Sequence, residues 1–245
     1  LHWLFATESE IQLLKRHGLL HRSGFQFHWS NPGYRDFEDF LASFTADKRK
    51  KVRRERRAVR EAGVTVEMRD GLALDASDWD RFHEFYHATV RAHGAIPYLT
   101  PAFFRMIGET MPQSALLALA RRGSTTIGGA LFFRGRDTLY GRYWGGTEHV
   151  PSLHFEVCYY VAIEYCIAHG LKRFEAGAQG EHKLARGFVP TPTYSAHWLA
   201  HPQFARAVAD FLAREHGSLE YAMHELNERA PFKQRNGVNS LRADI

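Results

Sequence analysis

The chain is poor in sulfur and has no long apolar run. Only two cysteines, Cys158 and Cys166, occur among its 245 residues. They lie eight positions apart in what reads as one helix, about 12 Å along its axis, too far for a disulfide. Buried thiols in a reducing compartment are expected. Neither has a neighbour that would activate it as a nucleophile, His154 one turn before Cys158 being the nearest approach to one. No stretch reaches the roughly 18 apolar residues needed to cross a bilayer. Leu1 to Ile11 has neither a basic leader nor a small-residue cleavage site, so a cytoplasmic location is expected. Internal repeats, low-complexity tracts and helix-turn-helix, zinc-finger or RNA-recognition signatures are also missing. His197 and His201 have the spacing of metal ligands on a helix, but Pro202 follows and the segment reads as a strand end. Zinc is therefore not expected, and catalysis should need no metal.

What is present is an ordinary globular composition, 44% hydrophobic and 24% charged, enough for one large domain or one and a half small ones. The net charge of +5 is unevenly placed. Asp47 to Glu61 holds nine basic and three acidic residues, a local +6, which leaves the rest of the chain near −1. This is a focused positive element on a neutral body.

Residues 1–30 read as strand (Trp3–Thr7), helix (Glu8–His17) and strand (Phe25–Trp29). So short a piece cannot bury its own faces, and with Leu rather than Met at its start it reads as the end of a truncated first domain, residues 1–35. Helices with the basic run follow over 36–63, and Gly63 fits a C-cap. From Val64 the pattern is strand, two helices, three meandering strands (115–121, 125–134, 138–144), helix 153–169, strand 173–176, a polar loop to Phe188, strand 193–200 and helices from Pro202. This is the order of an α/β acetyltransferase-like (GNAT) domain over 64–245: a mixed twisted sheet flanked by helices.

Chemistry concentrates between Arg142 and Phe188. Gly145-Gly146 after a strand could free N–H groups for a phosphate or carboxylate. The helix from Leu153 is apolar almost all round, yet holds His154, Glu156 and Glu164. Buried carboxylates require partners, so Glu156 reads equally as an anchor and as a substrate contact. His154, at the helix start, is the better candidate base. The densest cluster follows the strand ending at Glu175: Gln179, Glu181, His182, Lys183 and Arg186, interleaved with Gly177, Gly180 and Gly187. Loops at strand ends are where α/β proteins place their sites.

The stretches Gly141-Arg-Tyr-Trp-Gly-Gly, Leu153-His-Phe-Glu-Val-Cys-Tyr-Tyr, Phe174-Glu-Ala-Gly-Ala-Gln-Gly-Glu-His-Lys-Leu-Ala-Arg-Gly-Phe and Ser195-Ala-His-Trp resemble the predicted bacterial N-acyltransferases related to the Fem peptidoglycan aminoacyltransferases. Phe27-His-Trp-Ser-Asn and the basic run Lys48–Arg60 extend the resemblance over nearly the whole chain. It implies two GNAT domains in the complete protein, and an active-site lysine in a Lys-x-x-x-Gly-Phe-like segment, carried here by Lys183, Gly187 and Phe188. The expected reaction is acyl or aminoacyl transfer to an amine, from an acyl-CoA or an aminoacyl-tRNA, with no tightly bound cofactor. The acceptor would be a small molecule or a cell-wall precursor. The missing Arg/Gln-x-x-Gly-x-Gly/Ala loop weighs against coenzyme A. His154 or Glu175 is expected as base, and Lys183 with His182 or Arg186 as the group polarising the carbonyl. Arg142, Trp144, Glu156, Gln179, Glu181, Arg186, Gly187 and Phe188 are candidate substrate contacts. As a loop lysine, Lys183 is expected to contribute little to packing.

Two readings remain open for the basic run. Arg53, Arg54, Arg56 and Arg57 would contact a polyanion, transfer RNA among the candidates, or the helix is a solvated connector whose arginines pair with acidic neighbours. The alternative function is a non-catalytic polyanion- or nucleic-acid-binding module on a degenerate GNAT fold, which would not need the Glu175–Phe188 loop. A membrane-surface role is disfavoured by the lack of a large apolar stripe.

Overall fold

A computed structural model describes residues 1–233; the last part of the expected 64–245 unit lies outside the described residues. Eight strands form one sheet in the order β1-β8-β2-β7-β6-β5-β4-β3. In chain order these are β1 (His2–Ala6), β2 (Leu20–Ser30), β3 (Val64–Asp70), β4 (Ala115–Arg122), β5 (Thr125–Arg134), β6 (Thr138–Gly146), β7 (Arg173–Glu175) and β8 (Val189–His197). Among the described residues every pairing is antiparallel except β6 with β7. The large mixed sheet flanked by helices is the α/β architecture expected. Residues 1–30 are part of this same sheet, because β2 lies between β7 and β8.

Local chemistry explains the elements. α1 (Glu8–Arg16) starts on a Thr7–Glu10 capping box and α4 (Ala76–Ala92) on an Asp75–Asp78 one, each satisfying N–H groups that the first turn leaves open. α5 (Pro101–Thr110) has Thr100 as cap and proline at its first position. β4 is apolar and buried from Ala115 to Ala120 because helices cover both faces of the sheet there. On one face α4 and α5 bury Trp79, Phe82, Phe85, Tyr86 and Phe104. On the other, α2 (Phe37–Ala42), α3 (Ala46–Glu61) and the helix from Leu153 build the larger core around Phe40, Phe44, Tyr160 and Phe174. The closing helix α8 (Pro202–Glu228) begins after β8 and ties back to β2 through Arg22 and Glu215.

β2 starts at Leu20 rather than Phe25, and two further strands differ from their expected bounds. β8 begins at Val189 and contains Pro190 and Pro192, neither of which can donate to a ladder. β1 pairs only with Tyr194–His197, so the prolines stand where β2 is the sole strand neighbour of β8. The other difference concerns the glycines after Trp144. They lie within β6 rather than at a turn, and a Cβ on Gly145 would collide with the Phe85 carbonyl of α4. Gly145 is therefore a packing residue that lets a helix lie directly on the sheet, not part of a phosphate cradle. No helix of the described residues is long and apolar enough to cross a membrane.

Gly145→Ala must push α4 off β6, and overpacking of this kind costs about 2–3 kcal/mol. Urea denaturation should show that loss; a change below about 0.5 kcal/mol would mean that α4 shifts without cost.

Candidate functional site

The site lies where the two parallel strands separate. β6 and β7 pair only through Thr138–Tyr140 and Arg173–Glu175, while β6 continues to Gly146 and the chain leaves β7 at Ala176. A register shift in the β5–β6 ladder, between the Leu131–Tyr143 and Phe132–Gly141 pairs, makes Arg142 an extra residue in β6. The opening holds a cavity of about 360 Å³, lined among others by Arg142, Trp144, His154, Gln179, His182 and Lys183. Clefts beyond the carboxyl ends of parallel strands are the usual ligand sites of α/β sheets.

Lys183 arrives on a 3-10 turn, Glu181–Arg186. It is buried, 4% exposed, and its ammonium donates to the Gly177 carbonyl at 3.1 Å. The expectation that Lys183, as a loop lysine, contributes little to packing is thus corrected. Burial lowers its pKa from 10.5 to about 8, so the amine is charged at neutral pH but readily loses its proton. Among the described residues no aspartate or glutamate lines the cavity.

His154 and His182 stand beside the lysine with ring centroids 5.8 Å apart. His154 packs edge-on against Trp144, and the Tyr159 hydroxyl hydrogen-bonds Nε2 of His182 at 2.9 Å. Burial, then the positive charges of His182, Arg186 and Lys183, lower His154 to about 4, and burial with Arg186 and Lys183 also lowers His182. Both imidazoles are therefore neutral at pH 7, able to accept a proton, with Lys183 as the adjacent cation. Cys158 also lines the cavity, but burial pushes its thiol up, which keeps it protonated.

The helix carrying these groups is continuous from Leu153 to Ala168 but changes pitch. α6 (Leu153–Phe155) passes through a π-helical turn, Glu156–Tyr160, into α7 (Val161–Ala168). Such turns recur at functional sites because the wider winding re-aims side chains. The uninterrupted apolar pattern gives no sign of it.

Several expected contacts lie elsewhere. Glu156 is buried and bound by Arg56 at 2.8 Å, which assigns it the anchoring role rather than substrate contact. Arg186 is 2% exposed and turned into Glu55, so it cannot polarise a carbonyl in the cavity. Phe188 is buried in the core, and a Cβ on Gly187, where φ is +87°, would sit 2.8 Å from Phe40. Both are packing residues. Glu181 pairs with Arg229 at 2.9 Å, and the Glu175 carboxylate, 3.8 Å from Arg173, does not line the cavity. On α3, Arg56 points inward between Glu156 and Glu164, which removes it from any polyanion-binding face. Arg53 pairs with Glu38, while Arg54 and Arg57 stay exposed beside Lys50 and Lys51. Cavity residues not singled out from sequence include Tyr143, Tyr159 and His93; only the register of two tyrosines on elements flanking the glycine-rich loop could have signalled them.

The family described as FemAB-like, peptidoglycan biosynthesis/recognition, matches residues 1–234. No curated protein matches by sequence. Among solved structures the chain is similar to L-PGS from Bacillus licheniformis, with TM-score 0.60 and 10% identity over 86% of this chain and 71% of that one. The C-terminal domain of a putative lysylphosphatidylglycerol synthetase from Agrobacterium fabrum gives TM-score 0.57 and 13% identity over 87% and 71%. FemX gives 0.57 and 14% over 80% and 70%. At these identities the likeness is one of fold.

Because protonation of Lys183 opposes folding, Lys183→Met should stabilise the protein at pH 7, by about 1–2 kcal/mol after loss of the Gly177 bond. Between pH 8 and 10.5 the folded amine releases its proton while the unfolded one keeps it, so wild-type stability rises and the advantage of methionine shrinks. Denaturation at pH 7 and pH 10 checks the sign; a loss at pH 7, or an effect of equal size at both, would contradict the burial argument.

Proposed function

The chain belongs to the FemAB-like family, and on that premise we propose that it is a transferase that moves an aminoacyl group onto an amine of a cell-wall precursor. The observation that carries this reading is Lys183: a buried ammonium beside two neutral imidazoles in a cavity without a carboxylate. In the proposed reaction the acceptor amine attacks the carbonyl carbon of the donor ester. A carbon–nitrogen bond forms, and negative charge moves to the carbonyl oxygen. The Lys183 ammonium stabilises that oxyanion in a site shielded from water, where a fixed charge acts strongly. His182 or His154 takes the amine proton and returns it to the departing hydroxyl as the carbon–oxygen bond breaks. Arg142, on the cavity rim, is suited to an anionic part of a substrate.

The ester donor we propose is an aminoacyl-tRNA. Gly145-Gly146 runs as packed strand rather than as a diphosphate cradle, which weighs against coenzyme A. The outer face of α3, with Lys50, Lys51, Arg54 and Arg57 exposed, supplies a positive surface for RNA phosphates.

Transfer from charged tRNA to nucleotide-linked muropeptides, with acyl-CoA as the competing donor, tests the reading. Lys183→Met should lower kcat about 10²- to 10³-fold, the usual effect of removing one oxyanion donor. Wild-type turnover in that variant would remove the catalytic assignment.

Reversing Lys50, Lys51, Arg54 and Arg57 to Glu should leave stability nearly unchanged and abolish tRNA binding. Wild-type affinity should fall with salt at a log–log slope of about −3 to −4 for four phosphate contacts. Unaltered affinity in the reversed variant would show α3 to be a connector only. Arg56→Glu is a different experiment, because it places a third carboxylate against Glu156 and Glu164 and should prevent folding.

A further inference from the structure

The groups that line the cavity are carried by a short turn that the rest of the chain must hold in place. A 3-10 turn of six residues has poor internal hydrogen bonding and no stability of its own. Its strongest external attachment is Arg186. One guanidinium nitrogen donates to the His182 carbonyl at 2.6 Å, and another to both carboxylate oxygens of Glu55 at 2.9 Å. The guanidinium carbon lies 3.3 Å from the centroid of the Phe155 ring. Glu55 also accepts from the Tyr160 hydroxyl at the end of the π-helical turn. Glu55 is 8% exposed and Arg186 2%. One carboxylate thus joins the 3-10 turn, which presents His182 and Lys183, to the π-turn, which presents Cys158 and Tyr159.

A buried ion pair is a poor way to gain stability, since an apolar pair of the same shape usually does as well; what it adds is a single arrangement of the groups around it. Here that arrangement fixes the peptide between His182 and Lys183, whose carbonyl Arg186 grips.

We propose that Glu55, on the inner face of the basic helix α3, is the positioning residue of this site: through Arg186 it sets the turn that keeps Lys183 inside the cavity. The inference rests on the reading of Lys183 as the group that meets the substrate carbonyl. It adds that α3 serves the site with its buried face as well as offering an outer one to a polyanion.

The test needs neither donor nor acceptor, so its failure is separable from failure of the transfer reading. The whole chain is acetylated with trace acetic anhydride across a pH series, and the extent at Lys183 is read from its peptide by mass spectrometry. The wild-type midpoint should fall near 8. In Glu55→Gln, Arg186 loses its charged partner and the turn opens, so the midpoint should rise by at least one pH unit, a drop of about fivefold or more in reactive amine at pH 8. Glu55→Asp, which keeps the charge, should return it most of the way. A folded Glu55→Gln variant with its midpoint still near 8 would overturn the proposal, since a merely structural ion pair would lower stability without moving that value. If Glu55→Gln does not fold, Glu55→Gln with Arg186→Met removes the unmatched buried cation without restoring the grip on His182. A raised midpoint there supports the proposal, and an unmoved one overturns it.

Discussion

Two consecutive side chains on one helix, Glu55 and Arg56, hold the site together. They are opposite in charge, both turned inward from α3, and each closes a buried ion pair with a different element. Arg56 bridges Glu156 and Glu164 across the π-turn, with its guanidinium over the Phe37 ring at 4.5 Å, while Glu55 takes Arg186 and the Tyr160 hydroxyl. Taking Glu55, Arg186, Arg56 and Glu156 out of water is costly unless each finds its partner, so the pairings admit one packing of α3 against the helix from Leu153. Losing any one partner would leave a buried charge unmatched.

The electrostatics of the cavity follow from that scaffold. Glu55 neutralises Arg186, Glu156 and Glu164 are spent on Arg56, and among the described residues no carboxylate lines the cavity to neutralise Lys183, whose ammonium donates to the Gly177 carbonyl and lies 5.7 Å from the Phe27 ring centroid. Burial, reinforced by positive charge nearby, keeps both histidines unprotonated. The outcome is a division of labour suited to acyl transfer, a fixed cation for the developing oxyanion and neutral bases for the amine. The parting of β6 from β7 supplies the space, and the extra residue at Arg142 in β6 marks its rim.

Most of the fold was legible in the sequence because period and capping are local. The apolar run of β4 and the alternation from Val64 onward lead directly to the elements observed. Membership in a shared sheet was not, since nothing within residues 20–30 states that this strand is flanked by β7 and β8, some 145 and more positions later. At the site, Lys183, His154, His182, Gln179, Arg142 and Trp144 were legible as a group and do meet in one cavity. Arg56 and Arg186 were misplaced, and Glu156 left open between anchor and contact, for a single reason: a charged residue's type does not reveal whether it faces water or a buried partner, and only tertiary packing brings residues 55 and 56 to residues 156, 164 and 186. The π-turn left no trace because a helix apolar on every side has no phase from which a change of pitch can be read.

The central claim is that the donor's carbonyl sits at Lys183, in the opening between β6 and β7. Protection of Lys183 from acetylation by a non-hydrolysable aminoacyl-adenosine amide, read peptide by peptide, tests it most directly. The account predicts saturable protection of Lys183, with His182 ring resonances shifting at the same ligand concentration and exposed lysines such as Lys50 unaffected. Saturable binding of the amide with Lys183 still fully reactive would contradict it.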